Sequence, residues 1–232
     1  GLINKVLGKV VEGIAESWLD VVPSREEVGK KVLEILESKG LASTLEYNDE
    51  AAERTLNYLA GGSGYHLKPE QITVIKNLIE GENTLAILPT GYGKSVCYQI
   101  PALLLGEFRS ALTVIISPLK ALIRNQIDEI ERAGYPSATY LSSDLGHEEK
   151  WSRNRGVRMG WYSVLYIAPE QLRVRAVQNV LIDRGIDQLI IDEAHCISEW
   201  GHEFRPDYLY IPTFLKILSA RGHRKTVIGA FT

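Results

Sequence analysis

Short apolar runs alternate with longer amphipathic stretches along most of the chain. The strand-like runs lie at 84–89, 111–117, 138–141, 163–168, 188–193 and 226–231. Between them, apolar residues recur at the spacing of helices that bury one face. Alternating strands and helices predict an α/β domain with a mainly parallel sheet and helices on both faces. A ligand is then expected at the sheet edge formed by the carboxyl ends of the strands.

The N-terminal quarter of the chain has a different pattern, without strand-like runs. Apolar residues recur at helical spacing over residues 2–19, which predicts an amphipathic helix. Two further helices are predicted before residues 61–62. A pair of glycines, as found there, is typical of a helix end. The pattern therefore predicts a small all-α extension over 1–62 and an α/β domain over 63–232. The apolar stripe is most simply core, and a protein partner that binds through residues 1–62 is the alternative.

The segment 88–95 reads LPTGYGKS and carries the strongest chemical signal. A strand leads into it and a helix follows, so backbone N–H groups from Gly91 to Lys94 converge where a helix N-terminus stabilises anions. Lys94 is expected to contact the β/γ-phosphates of a nucleotide, and the Ser95 hydroxyl is expected to bind Mg²⁺. Because Leu88 stands where the full pattern has glycine, a plain strand-to-helix turn would be the alternative for this segment alone. The predicted phosphate site consists of Thr90, Gly91, Gly93, Lys94 and Ser95.

A second strand ends in two adjacent carboxylates. Residues 189–195 read LIIDEAH, and this strand is expected to lie beside the P-loop strand in a parallel sheet. Asp192 is expected to hold Mg²⁺, directly or through water, because this cation prefers one or two carboxylates together with phosphate oxygens. Glu193 is expected to position and activate the attacking water. Together the two segments predict a P-loop NTPase core with ATP and Mg²⁺ as cofactors.

The motifs along the chain resemble those of one helicase family. The letters DEAH form motif II of superfamily 2 helicases, and the continuation 196–208, CISEWGHEFRPDY, resembles the aromatic-rich loop of RecQ DNA helicases. In the same order, LKPEQ at 67–71 resembles motif 0 and ISPLKALI at 116–123 resembles motif Ia. Residues 95–103 and 165–172 resemble further RecQ stretches. The likeness covers roughly residues 65 to 232, and it implies the first of two RecA-like domains.

The resemblance implies roles at both ends of the nucleotide. Lys68 and Gln71 match the motif 0 residues that hold adenine, and a glutamine amide offers the base both a donor and an acceptor. His195 is similar to the motif II histidine that links hydrolysis to DNA contacts. The implied catalytic set is Lys94, Asp192, Glu193 and His195.

The resemblance also implies a DNA-binding surface. Ser117 of motif Ia and the loop residues Trp200, Phe204 and Arg205 are similar to residues that meet single-stranded DNA. Aromatic rings stack on bases and arginine contacts phosphates. Core packing is the alternative for Trp200 and Phe204, but the polar residues around them would make a poor core strand or helix. The implied activity is ATP-driven 3′ to 5′ translocation on single-stranded and forked DNA.

Two departures from the RecQ pattern affect these expectations. Tyr92 replaces a small residue in the P-loop, where it can keep a negative φ and either cover the nucleotide or change loop mobility. Residues 228–232, IGAFT, resemble the start of motif III. The second RecA-like domain of the same parent chain, with its arginine finger, is expected to be needed for hydrolysis. The isolated chain is therefore expected to be inactive or very weak as an ATPase.

Two other functions stay open on the sequence alone. The first is an RNA helicase of the wider DEAD/DEAH group, which the aromatic stretch 196–208 disfavours. The second is a nucleotide-binding regulatory module without motor activity, which the intact P-loop and DEAH residues disfavour. The cellular pathway, whether repair, recombination, replication restart or defence, is left open as well.

The composition limits the partners and the compartment. The 232 residues carry a net charge of −3, so DNA affinity is expected from a local groove and not from overall charge. The longest apolar runs have strand length and no signal peptide pattern occurs, which disfavours a membrane protein. Cys97 and Cys196 form no zinc-binding pattern with the histidines. The expected location is the cytoplasm, at the bacterial nucleoid, or the nucleus in a eukaryote.

Overall fold

A computed structural model describes residues 47–197, 205–221 and 225–232. These residues belong to one compact unit, Tyr47–Thr232. The helix predicted over 2–19 and the one that follows it lie outside the described residues, and so do Trp200 and Phe204.

Six strands and seven α-helices are found in the described residues. The strands are β1 (Thr84–Ala86), β2 (Thr113–Ile116), β3 (Ala138–Leu141), β4 (Val164–Ile167), β5 (Gln188–Ile191) and β6 (Val227–Phe231). The helices are α1 (Asp49–Leu59), α2 (Pro69–Ile79), α3 (Lys94–Arg109), α4 (Lys120–Arg132), α5 (His147–Arg158), α6 (Arg175–Arg184) and α7 (Ile211–Ala220). Short 3-10 turns occur at Pro169–Arg173, Ala194–Ile197 and Pro206–Tyr210.

The strands form one sheet in the order β1-β6-β5-β2-β4-β3. Every pairing between them is parallel. The prediction that the DEAH strand lies directly beside the P-loop strand is wrong, because β6 pairs with both β1 and β5 and separates them. The register aligns Ile116 at the end of β2 with Ile167 of β4 and Ile191 of β5. The residues that follow these strands therefore lie side by side along one edge. The predicted α/β fold is confirmed, and its sheet is entirely parallel.

Both faces of the sheet are covered by helices, so the core has two layers. Alternate strand residues point to opposite faces: Val114 and Leu165 pack with α5, α6 and α7, whereas Ile115 and Tyr166 pack with α2, α3 and α4. The central strands are buried on both sides, which explains why they appear in the sequence as continuous apolar runs. Among the described helices, none combines the length and the apolarity that crossing a bilayer requires.

Helix α1 packs on the α/β domain. Its N-cap Asn48 accepts a hydrogen bond from the backbone N–H of Ala51 at 2.9 Å. Near its C-terminus, the ring of Tyr58 lies edge-on to Tyr135, with the centroids 6.4 Å apart. Gly61, with φ of 66°, follows the helix end, as the glycine pair predicted. The sequence pattern grouped this helix with the N-terminal extension, whereas it belongs to the compact unit that begins at Tyr47.

Candidate nucleotide and nucleic-acid site

The P-loop follows β1 and leads directly into α3. Gly91 and Gly93 have φ of 75° and 81°, in the left-handed region where glycine has no steric penalty. Tyr92, between them, stays outside that region, as expected for a residue with a Cβ. Gly93 is the N-cap of α3, and a Cβ on it would lie 2.8 Å from Nε2 of Gln71. Glycine at this position therefore allows the motif 0 helix to approach the loop.

The P-loop lysine and the motif II glutamate contact each other. Nζ of Lys94 donates to Oε1 of Glu193 at 3.0 Å, across 99 positions of sequence. The side chains are 21% and 26% exposed, so the pair is partly shielded from water. Glu193 has φ of 50°, a left-handed conformation that is uncommon outside glycine. The two charges that the sequence assigned to phosphate and to water activation thus lie at one point of the sheet edge.

Asp192 is a buried carboxylate at the end of β5. It is 2% exposed, and the Ser117 hydroxyl donates to its Oδ2 at 3.4 Å. Burial, and then the negative charge of Glu193, raise the pKa of Asp192, while Lys94 opposes this shift. Because burial and a neighbouring negative charge disfavour the ionised form of Asp192, a cation bound beside this carboxylate would be stabilising.

The hydroxyl predicted to bind Mg²⁺ is held from a neighbouring helix. Nε2 of Gln126, in α4, donates to Oγ of Ser95 at 3.1 Å and to the Tyr98 hydroxyl at 3.3 Å. Ser95 and Asp192 both supply oxygen, which is the donor type that Mg²⁺ requires. No group of three or more acidic, histidine or cysteine side chains among the described residues could hold a metal ion. The two oxygen donors Ser95 and Asp192 fit Mg²⁺, which takes most of its ligands from phosphate and water.

The motif 0 residues contact the P-loop. Oε1 of Gln71 accepts from the backbone N–H of Lys68 at 2.9 Å, and its Nε2 donates to the carbonyl of Tyr92 at 2.9 Å. Nζ of Lys68 lies 3.6 Å from the centroid of the Tyr92 ring. The Tyr92 hydroxyl donates to Oε2 of Glu70 at 2.7 Å. The structure thus brings both predicted adenine-binding residues to the P-loop.

His195 links motif II to the end of β6. Its Nδ1 lies 2.9 Å from Oγ1 of Thr232 and 3.4 Å from Oε2 of Glu193. The backbone N–H of Thr232 in turn donates to the carbonyl of Ala86, beside the P-loop. The predicted catalytic residues Lys94, Asp192, Glu193 and His195 therefore form one connected group.

The predicted DNA contacts are placed in different ways. Ser117 is fully buried, and its side chain is turned to Asp192 and not to the surface. Arg205 is exposed, and its backbone N–H donates to the carbonyl of Cys196 at 3.0 Å. Trp200 and Phe204 lie between those two residues, outside the described part of the chain. The two described ends of the aromatic segment thus meet next to motif II.

Sequence reasoning missed three side chains that support this site. Glu70 lies inside motif 0, but nothing in that motif marks it as a partner of Tyr92. Gln126 sits among other polar residues of α4, where no pattern singles it out. Tyr208, whose hydroxyl donates to the carbonyl of Asp192 at 2.9 Å, belongs to the aromatic stretch and could have been found there. Burial of its ring raises the pKa of Tyr208 far above its usual value, so it remains a donor.

Comparisons with known sequences agree with this site. The DEAD/DEAH box helicase family matches residues 68–231. The "ATP-dependent DNA helicase RecQ" of Bacillus subtilis (strain 168) is 42% identical over 183 residues, which are 77% of this chain and 29% of that protein. The "Probable ATP-dependent DNA helicase RecS" of the same strain is 38% identical over 156 residues, 67% of this chain and 30% of the relative. The chain thus spans less than a third of the length of these relatives.

Comparisons with solved structures support the fold. The crystal structure of the DUF1998 helicase MrfA has a TM-score of 0.62 at 18% identity and covers 78% of this chain and 29% of that one. The structure of Mss116p bound to ssRNA and AMP-PNP has a TM-score of 0.59 at 19% identity and covers 86% of this chain and 40% of that one. At such low identity these likenesses concern the fold alone.

The family match covers residues 68–231, well over half of the chain, and the RecQ likeness predicted from the motifs is confirmed by the curated relatives. The chain therefore belongs to the DEAD/DEAH box helicase family, within which RecQ DNA helicases are the members that it resembles in sequence.

Proposed function

We propose that this chain is the first motor domain of a RecQ-type ATP-dependent 3′ to 5′ DNA helicase. It binds ATP with Mg²⁺ and single-stranded DNA, and it couples hydrolysis to translocation together with a second RecA-like domain of the same protein. The observation that carries the proposal is the contact of Lys94 with Glu193 at 3.0 Å beside the buried Asp192. A P-loop lysine, an acidic pair and a hydroxyl at one sheet edge are what phosphoryl transfer requires.

Lys94 must exchange its partner when the nucleotide phosphates bind. The P-loop N–H groups and the N-terminus of α3 attract the phosphates, whose oxygens replace Glu193 as the partner of Lys94. Glu193 is then free to accept a hydrogen bond from a water aligned with the γ-phosphate. The same ion pair therefore links phosphate binding to the release of the group that activates water.

The metal ligands proposed are Ser95 and Asp192. When bound, Mg²⁺ would neutralise charge that develops on the phosphate oxygens. Ser117 fixes the orientation of the Asp192 carboxylate through its hydrogen bond of 3.4 Å. Gln126 does the same for Ser95 from α4. Both proposed ligands are thus oriented by hydrogen bonds from neighbouring side chains.

At the base end, Lys68 and Gln71 are proposed to hold adenine. The amide of Gln71 can donate to N7 and accept from N6 of adenine, since that edge of the base offers one acceptor and one donor. Guanine offers two acceptors at the same edge, so it leaves the amide oxygen without a donor. The contact therefore favours ATP over GTP.

For DNA, the proposed contacts are Trp200, Phe204 and Arg205. The described ends of this segment meet at Cys196 and Arg205, and the Tyr208 hydroxyl then reaches the carbonyl of Asp192. Hydrogen bonds at Arg205 and Tyr208 thus connect the residues that follow this segment to the main chain of motif II. This supports the coupling of DNA binding to hydrolysis. For a protein that acts on DNA, the proposed location is the bacterial nucleoid or the nucleus of a eukaryote.

The test is ATP hydrolysis by the longest form of the protein, with single-stranded DNA, with single-stranded RNA and without nucleic acid. We expect stimulation by DNA above that by RNA and its loss in Lys94→Ala. Equal or stronger stimulation by RNA would point to an RNA helicase, and no stimulation by either would point to a regulatory module. Strand separation on 3′-tailed and 5′-tailed duplexes tests the polarity. The isolated 232-residue chain is expected to bind nucleotide but to hydrolyse it slowly, because the arginine finger belongs to the second domain.

A further inference from the structure

The tyrosine in the P-loop is bound on both sides by motif 0. Its hydroxyl donates to the Glu70 carboxylate at 2.7 Å, and the ammonium of Lys68 lies 3.6 Å from its ring centroid. A cation over the face of an aromatic ring is attracted by the electrons of the ring. Tyr92 is thus clamped between Lys68, which is proposed to hold adenine, and Glu70, two positions further along the chain.

The second residue proposed to bind adenine, Gln71, contacts the main chain of the same tyrosine. Both ends of the Gln71 amide are used: the oxygen accepts from the backbone of Lys68, and the nitrogen donates to the carbonyl of Tyr92. The nitrogen also lies 3.4 Å from the carbonyl of Gly93. A base that approaches this site therefore finds the Lys68 ammonium on the Tyr92 ring and the Gln71 nitrogen on a main-chain carbonyl of the P-loop, while the Gln71 oxygen is bonded within motif 0.

We infer that the side chain of Tyr92 is a specificity-determining group that competes with the nucleotide base for Lys68. The inference rests on the proposed function, that is, on ATP binding at this site. A base gains only the difference between its own contacts and those that Tyr92 gives up. The triphosphate makes no such exchange at motif 0, because its partners are Lys94 and the P-loop N–H groups.

Lys68, Glu70 and Tyr92 form what we call the clamp, and the hydrogen bond to Glu70 keeps Tyr92 in place within it. It lowers the pKa of Glu70 and raises that of Tyr92, so the carboxylate stays ionised and the phenol stays protonated. Without it the ring is held only by Lys68, which can then turn to a base. Because Glu70 is ionised, its hydrogen bond with the Tyr92 hydroxyl is expected to be stronger than the contact between Lys68 and the Tyr92 ring.

The test compares the wild-type protein with Tyr92→Phe, which keeps the ring and removes the hydroxyl. A fluorescent ATP analogue is displaced by ATP, by GTP and by inorganic tripolyphosphate, each with Mg²⁺. We expect Tyr92→Phe to bind ATP about three- to tenfold more tightly, the range for losing one competing hydrogen bond. GTP should gain less, since its base cannot satisfy Gln71, and tripolyphosphate should not change.

Two further variants make the result specific to the clamp. Glu70→Gln keeps an acceptor without the charge, so it should give a smaller gain, and the double variant should gain no more than Tyr92→Phe alone. Tyr58→Phe, on α1, is the matched control and should leave all three affinities unchanged.

The outcomes distinguish a failure of the competition by Tyr92 from a failure of the proposed function. ATP affinity in Tyr92→Phe that is unchanged or weaker, or a parallel change for tripolyphosphate, would overturn the competition by Tyr92. Failure of the wild-type protein to bind ATP or its analogue would instead overturn the proposed function. Tighter ATP binding with unchanged tripolyphosphate binding is the result expected of the clamp and not of a general change in the P-loop.

Discussion

Replacing Glu193 with glutamine tests the ion pair at the centre of the site. The substitution keeps the size of the side chain and removes the charge that holds Lys94 at 3.0 Å. Lys94 then meets the phosphates without first leaving a carboxylate. We therefore expect Glu193→Gln to bind ATP more tightly and to hydrolyse it far more slowly.

The magnitude follows from the burial of the pair. At full burial the Coulomb term would be large, but side chains that are 21% and 26% exposed are screened by water. A partly exposed ion pair contributes about 0.5–1 kcal/mol net, so its loss should tighten ATP binding about two- to fivefold. Loss of the group that positions water should slow hydrolysis about 10²- to 10⁴-fold.

The assay separates binding from chemistry. Equilibrium binding of a fluorescent ATP analogue gives the affinity, and single-turnover hydrolysis with saturating single-stranded DNA gives the rate. Glu80→Gln is the control, because Glu80 pairs with Lys76 on the exposed side of α2 at 3.8 Å. ATP affinity that stays equal to wild type, with hydrolysis lost, would refute the exchange of partners at Lys94. Unchanged hydrolysis would remove Glu193 from the catalytic group.

Three further predictions concern the P-loop, the metal site and the core. Gly93→Ala should abolish ATP binding, because its φ of 81° is strained for alanine and the new Cβ would lie 2.8 Å from Nε2 of Gln71; Gly91→Ala, with φ of 75° and open space around it, should be milder in the same binding assay. Gln126→Leu should raise the Mg²⁺ concentration needed for half-maximal ATP binding about threefold or more, since Ser95 loses its donor; an unchanged Mg²⁺ titration would contradict this. Ile115→Ala, at a fully buried position of β2, should lower the free energy of unfolding in urea by about 2–5 kcal/mol, whereas Leu85→Ala, which is 67% exposed, should change it little.

The strands were predictable because their physical signal is local. Each observed strand falls inside a predicted apolar run. The signal is strongest for β2, β4 and β5, because strands buried on both faces need no polar alternation. The run 84–89 was predicted longer than the observed Thr84–Ala86. Its last residues begin the P-loop, and Ile87 is 74% exposed. Apolarity alone could not separate a short strand from the loop that continues it.

The candidate site was predictable as a set of residues but not as a set of contacts. The motif spacing identified Lys94 and Glu193 separately, and only the parallel sheet shows that they touch. The bond between Tyr92 and Glu70 joins residues 22 positions apart, and the bond between Gln126 and Ser95 joins residues 31 apart. Such pairs have no periodic signal, because they depend on how two helices approach a loop.

The sequence position of Ser117 did not predict where its side chain points. Its place after β2 put it at the edge where ligands bind, and the family likeness suggested DNA as its partner. The register of β2 and β5 aligns Ile116 with Ile191, so the next residues, Ser117 and Asp192, stand beside each other. A buried hydroxyl beside a buried carboxylate forms a hydrogen bond to it, and this decides where the side chain points.

The hydrogen bond between Arg205 and Cys196 has a consequence for how this protein could be changed. Cys196, Arg205 and Tyr208 are connected by hydrogen bonds to one another and to the carbonyl of Asp192. A substitution that breaks one of these bonds would therefore change the surroundings of the acidic pair at the end of β5. Engineered variants should keep these three positions, because a buried donor or acceptor that loses its partner lowers stability.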